Sequence, residues 1–389
     1  MSFKATDREH INAPSREELE AELAQFSVEK EDDGTGSLMN QPFNPADINI
    51  KRDTLNLDNL IKRLRNDEID LAPEFQRSMN LWENDKQSQL IESILIRFPL
   101  PAFYFDGTDD DRWLVVDGLQ RISTIYNFVV KKTLHLTGLE FLNKLEGKGF
   151  DDLPRPYQRQ IEEASIIAYI INPGTPPEVK FNIFKRINTG GLILTPQEIR
   201  HALNQGQPAK FVKRLADLPA FKTATQGVVS TSRMEDRDFV TRFLAFYLDN
   251  PEDYKPDLDT FLNAAMGSLR VLPERKANQI EADFTAAMIL AHQIFGHYAF
   301  RKLYSMQDRR KPISKAVFDV WSVSLAKLTQ AEREILKSRK TAVVSAFMRL
   351  MNTDTRFEAS VSTSTSNKDK VVYRFKAIQQ LIQSIITSP

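Results

Sequence analysis

The chain has 389 residues, 41% of them hydrophobic, enough for two ordinary domains with buried cores and too apolar for a disordered protein. Cysteine is absent, which excludes disulfides, thiolate metal sites and cysteine nucleophiles together. A net charge of zero hides an uneven spread: residues 1–40 hold 4 basic and 10 acidic side chains, residues 41–300 hold 31 and 35, and residues 301–389 hold 17 and 7.

Residues 1–48 read as a flexible acidic tail. Glu17-Glu18-Leu19-Glu20-Ala21-Glu22-Leu23 has the composition of a short helix, whereas Glu31-Asp32-Asp33-Gly34-Thr35-Gly36-Ser37 has too little apolar content to pack. No apolar run approaches the roughly 20 residues that span a bilayer, and no basic-then-apolar leader opens the chain. A cytoplasmic protein without a membrane partner is expected.

From Ile50 the pattern tightens. Leu57, Leu60, Ile61 and Leu64 share one helical face, and Leu90, Ile91, Ile94 and Leu95 share another that ends before Pro99. Pro101-Ala102-Phe103-Tyr104-Phe105 reads as a short strand. The acidic stretch Asp106 to Asp111 does not fit the spacing of a calcium loop, whose sixth-position glycine and closing glutamate are missing, and is expected to be a solvated hairpin turn. Next, Arg112-Trp113-Leu114-Val115-Val116 runs into Asp117-Gly118, after which Ile122, Ile125 and Phe128 fall at helical spacing. A strand feeding a helix N-terminus through glycine is a natural anion site, because free N–H groups converge and no Cβ blocks the approach. Arg121 adds a planar, permanently charged fork. The same spacing also fits a plain capping pair of Asp117 with Gln120.

Ala164 to Ile171 is the clearest buried strand. Pro176-Pro177 opens a helix with Val179, Phe181, Ile183, Phe184 and Ile187 on its core side, which stops at Asn188-Thr189-Gly190-Gly191. A structural C-cap explains those glycines without a ligand, and Thr195-Pro196-Gln197-Glu198 has the form of a capping box. After about residue 205 strand signals fade, and helices are expected around 238–247, 261–272, 280–295, 316–328 and 343–351. The hydroxyl-rich stretch Ala359 to Lys370 suits either phosphate contacts or a mobile linker. His292 and His297, five apart, fall on different helix faces, so nuclease or metal chemistry by this pair is disfavoured.

Three boxes in fixed order carry a resemblance. Pro73-Glu74-Phe75-Gln76-Arg77 followed by Trp82, then Asp117-Gly118-Leu119-Gln120-Arg121, then Arg186-Ile187-Asn188-Thr189-Gly190-Gly191 with Glu198, resemble the N-terminal domain of GmrSD-type modification-dependent restriction enzymes, a ParB/sulfiredoxin-like family. The likeness covers roughly residues 50–205. It implies an α+β, ParB-like domain with a small mixed sheet over residues 49–205, followed by an all-helical domain over 206–389 with a basic end. It also implies nucleotide hydrolysis at the Asp-Gly-x-Gln-Arg site, carried here to Asp117, Gly118, Gln120 and Arg121.

The motif order extends the site. Gln76, Arg77, Arg186, Asn188, Gly190 and Gly191 are expected to hold a nucleoside triphosphate, with Mg²⁺ at Asp117, since polyphosphates require fixed cations, N–H donors and a carboxylate for the hydrated metal. No Walker-type glycine-rich loop with lysine occurs. One departure is visible: Leu119 stands where the family usually has Gln, which favours the alternative of a non-catalytic DNA-binding or regulatory module. The leading expectation is a nucleotide-binding, NTP-hydrolysing protein of a phage-defence or DNA-modification-sensing system. Partners would be the nucleotide, DNA along the basic end, a second copy or a separate nuclease; a nuclease site of unrecognised form is the third reading.

Overall fold

The computed structural model describes residues 27–31, 44, 47–70, 82–109, 111–187 and 194–388. Contacts divide the chain into one unit of residues 41–203 and another that joins residues 1–40 to residues 204–389.

The first unit is built on a five-stranded mixed sheet in the order β1-β5-β3-β4-β2. The strands are β1 (Ile50–Asn56), β2 (Ile69–Asp70), β3 (Phe103–Asp106), β4 (Trp113–Asp117) and β5 (Ser165–Ile171). β1/β5 and β3/β4 are antiparallel, while β5/β3 and β4/β2 are parallel. Helices α1 (Leu57–Arg65), α2 (Asn84–Leu95) and α3 (Leu119–Ile125) turn their apolar stripes to one face, against Phe103, Phe105, Trp113, Ile166, Ala168 and Ile170. α4 (Arg155–Glu162) adds Ile161 to that side. α5 (Pro177–Ile187) and α6 (Pro196–Leu203) cover part of the other face through Val179, Ile183, Phe184 and Ile199, packed on Ile171 and Val116. The α+β expectation is therefore met. β5, expected to be buried throughout, leaves Ile167 and Tyr169 half-buried on the α5 side.

Glu92 on α2 shows how a buried charge is tolerated. Only 3% exposed, it accepts N–H groups from Glu140 (3.0 Å), Phe141 (2.7 Å) and Leu142 (2.7 Å). Burial alone would raise its carboxyl pKa, but the three donors outweigh it and hold it below the ordinary 4.5. A depressed folded-state value means that the contribution is complete above about pH 5 and lost as pH falls through the folded-state pKa. Glu92→Gln is expected to cost about 2–3 kcal/mol at neutral pH and to flatten the acid limb of stability. Urea unfolding at several pH values between neutrality and pH 3 checks both; an unchanged acid limb would remove Glu92 from the account.

The second unit is helical: α7 (Gln207–Ala216), α8 (Pro219–Ala224), α9 (Glu235–Leu248), α10 (Leu258–Ser268), α11 (Glu274–Phe295), α12 (Lys315–Ala326), α13 (Gln330–Ser338), α14 (Lys340–Thr353), α15 (Thr355–Ser362) and α16 (Lys368–Thr387). Its core is aromatic, with Phe318 ringed by Phe221, Phe239 and Phe300, and Trp321 set against Phe295 and Phe347. Among the described residues no helix is long and apolar enough to cross a membrane.

Two sequence expectations change in this unit. The stretch 359–370 is no linker: α15 runs to Ser362, Asn367 caps α16, and the turn between is tied down internally. Arg374 donates to the Thr365 carbonyl at 2.6 Å, Tyr254 to the Ser366 carbonyl at 2.9 Å, and Lys370 to the Thr363 carbonyl at 2.7 Å. The basic excess after residue 301 is also partly internal. Arg301 and Arg374 are buried, Lys302 pairs with Glu29, Lys315 with Asp238 and Arg333 with Asp283.

Candidate functional site

The signature folds as its residue types require. β4 ends at Asp117, Gly118 takes φ 99°, and α3 starts at Leu119. Only glycine is comfortable there, and a second reason is packing: a Cβ on Gly118 would stand 2.7 Å from the Phe103 ring. The close neighbour at this turn is thus a fully buried aromatic ring of the chain itself.

A β-bulge sets the direction of Asp117. Val115 lies opposite Phe105 and Asp117 opposite Tyr104, leaving Val116 as the extra residue. Strict alternation from Val115 would send Asp117 toward α1–α3; the bulge brings it beside Tyr104, which packs on the α5 side. Consecutive strand partners then form a polar and aromatic row across the sheet: Arg52 opposite Tyr169, Tyr169 beside Tyr104, and Tyr104 opposite Asp117. The tyrosine rings stack at 4.9 Å with 14° between planes. Burial first, then Tyr169 and the Asp117 charge, push the Tyr104 hydroxyl above its ordinary pKa, so it is protonated and a donor at neutral pH. Sequence reasoning missed Arg52, Tyr104 and Tyr169; alternation marks their faces, but only strand register aligns them.

Arg121 has a different setting from the free fork expected. It donates from Nη1 to the Pro101 carbonyl, and from Nη2 to the Ala102 carbonyl (3.1 Å) and Asp117 Oδ2 (3.0 Å). Its guanidinium lies 4.4 Å from the Phe103 ring centroid, and its side chain is 11% exposed. Burial lowers its pKa, against the opposing pull of Asp117. Arg121 therefore binds the loop before β3 to the signature turn and fixes one oxygen of Asp117. The other, Oδ1, accepts no hydrogen bond among the described residues, on a side chain 24% exposed. Gly118, not Asp117, occupies the N-cap position, so the alternative of an Asp117 cap is not realised.

The remaining candidates are placed as follows. Gln120 is half-buried in the first turn of α3. Leu119, at the departing position, packs with Leu114, Leu194 and Ala202, so its side chain anchors the turn on α6. Arg186 is exposed in the last turn of α5. Gln76, Arg77, Asn188, Gly190 and Gly191 lie outside the described residues. Glu198 forms the expected capping box, accepting from Thr195 N at 2.7 Å while Thr195 Oγ1 accepts from Glu198 N at 3.2 Å. In the acidic turn, Asp106 accepts from Thr108 N (3.0 Å) and pairs with Lys180 (3.2 Å), and Asp109 accepts from Asp111 N (3.0 Å). Among the described residues no group of three or more carboxylates and histidines gathers to hold a metal.

The family model described as GmrSD restriction endonuclease, N-terminal domain, matches residues 57–204, which takes in α1 to α6 and the whole bulge and signature. No curated protein and no solved structure matches the chain. Residues 57–204 accordingly match the N-terminal domain family of GmrSD restriction endonucleases, a match that points to a restriction-like phage-defence system.

Proposed function

We propose that residues 57–204 bind a nucleoside triphosphate and hydrolyse it at Asp117, as the nucleotide-sensing part of a restriction-like defence protein. The observation that carries the reading is Asp117 Oδ1, which accepts no hydrogen bond among the described residues, on a carboxylate that Arg121 holds through Oδ2 and that lies opposite Tyr104, whose hydroxyl is protonated, across β3 and β4. One carboxylate oxygen and a donor fit a Mg²⁺-nucleotide, since Mg²⁺ takes one or two carboxylates and completes its shell with water and phosphate oxygens. Bound Mg²⁺ would neutralise charge on those oxygens. Asp117 Oδ1 holds the hydrated ion or orients the attacking water; Tyr104 donates to a phosphate oxygen; Arg121 is a positioning residue that acts through Asp117. Gln120 and Gly118 supply the turn. Gln76, Arg77, Arg186, Asn188, Gly190 and Gly191 complete the phosphate contacts in this proposal, on the strength of the motif order.

Asp117→Asn keeps the shape and the bond to Arg121 while removing the charge. It is expected to lower phosphate release from the preferred NTP by at least about a hundredfold with little change in urea stability. Release is to be measured with ATP, GTP, CTP and UTP, with and without Mg²⁺; equal rates in variant and parent would count against the site.

A second reading is favoured by two observations: both terminal nitrogens of Arg121 already donate within the chain, and Leu119 is anchored on α6. In it the domain senses nucleotide without hydrolysis while the basic helical unit contacts DNA, with a second copy or a separate nuclease completing the system. Phosphate release then stays at background, and DNA affinity falls steeply with salt.

A further inference from the structure

Residues 27–31 belong to the stretch expected to be a free acidic tail, yet they lie against the helical unit. Val28 pairs with Ile313 in parallel: Glu29 N donates to the Ile313 carbonyl at 2.7 Å and Ile313 N to the Ser27 carbonyl at 3.0 Å. Beyond that short ladder the attachment is ionic. Glu31 presents both oxygens to Arg242, each at 3.0 Å, and accepts from Thr365 Oγ1 at 2.7 Å. Glu29 meets Lys302 at 2.6 Å.

The cleft beneath is strongly cationic once these two carboxylates are set aside. Arg242, Arg374, Lys302 and Lys315 have side chains 2%, 1%, 10% and 20% exposed, and the carboxylates the helical unit itself supplies to them are Asp319 and Asp238. Glu29 and Glu31 thus offset a surplus of two positive charges among the described residues. A buried charge without a partner is costly, so some anion is needed here whenever the segment leaves. Leaving is feasible, because Glu31 and Glu29 are 17% and 33% exposed and, among the described residues of the segment, only Val28 adds apolar packing. The wall opposite them, formed by Ser314 to Ala316, Val361, Ser362 and Thr365, encloses a cavity of only 10 Å³ beside the segment.

A planar guanidinium fork, two ammonium groups and a buried hydroxyl around two negative charges are the recognition chemistry of a phosphate group. We propose that this cleft is a phosphate-binding site of the helical unit, occupied in the structure by the chain's own Glu29 and Glu31, so that a phosphate ester and residues 27–31 compete for it. The inference does not depend on hydrolysis at Asp117, and it is tested in a chain carrying Asp117→Asn, so that hydrolysis is suppressed and any binding at the first site is common to both arms.

Binding of inorganic phosphate, ATP and a 5′-phosphorylated duplex oligonucleotide is to be compared between the Asp117→Asn chain and the same chain with Glu29→Gln and Glu31→Gln added. At least tenfold tighter binding of one or more probes is expected, abolished again by a further Lys302→Met. The strongest probe identifies free phosphate, mononucleotide or nucleic acid as the source. A folded variant with no gain for any probe overturns the proposal and leaves residues 27–31 a structural clasp. Should the variant not fold, hydrogen exchange on the Asp117→Asn chain decides: at saturating phosphate the amides of Glu29 and Ile313 should exchange faster, and unchanged protection with all three probes overturns it.

Discussion

Asp319→Asn is expected to remove about 3–5 kcal/mol of unfolding free energy, as breaking a buried ion pair from one side does. Asp319 is fully buried on α12 and accepts from Arg242 Nε at 2.9 Å and Nη2 at 2.6 Å, with Arg374 Nη2 at 3.4 Å. Burial works against the Arg242 charge, but the carboxylates of Asp319 and Glu31 outweigh it and hold the guanidinium well above its ordinary pKa. Burial pulls the Arg374 guanidinium the other way, below its ordinary value; neutralising the aspartate removes the charge that both arginines share, and Asn offers them one oxygen in place of a carboxylate. Glu31→Gln serves as the internal control, because water reaches that side chain and the loss should be smaller. Urea unfolding followed by far-UV circular dichroism gives both values; a loss below about 1 kcal/mol for Asp319→Asn would show that the arginines find other acceptors.

The second large effect concerns Gly118. Gly118→Ala combines a backbone angle of φ 99° with a Cβ 2.7 Å from the Phe103 ring, which is 0% exposed, and 3.3 Å from Arg121 Nη2. Strain at such an angle costs about 1–3 kcal/mol and forced overpacking about as much again. A total loss of about 2–5 kcal/mol is expected, visible as a lower urea midpoint. The variant also separates two explanations for the glycine. If stability holds while nucleotide binding disappears, ligand approach and not Phe103 requires the missing side chain. If both fall together, the turn is first a packing device, and its use as a site follows from where it aims Asp117.

Such uncertainty about direction is what the chain's linear order leaves open. The strand-glycine-helix junction at 113–125, the box at Thr195 and Glu198, and the change from mixed to helical structure near residue 205 were all legible, since each depends on neighbours a few residues apart. The family likeness was legible for a related reason: its three boxes keep their order whatever their distance in space. The side on which Asp117 emerges was not, because one extra residue in β4 reverses the alternation by which faces are assigned.

Sequence alone determined the strand-glycine-helix junction, the α+β character of residues 49–205 and the residue types at the signature. Tertiary structure decided which charges are available. Arg121 meets carbonyls at 101 and 102, Glu31 meets Arg242 across two hundred residues of chain, and Arg374 enters the core instead of adding to a basic surface. A guanidinium counts the same in a composition wherever it lies; its partner and its contact with water are fixed only when distant segments pack, and those two quantities set what it can bind.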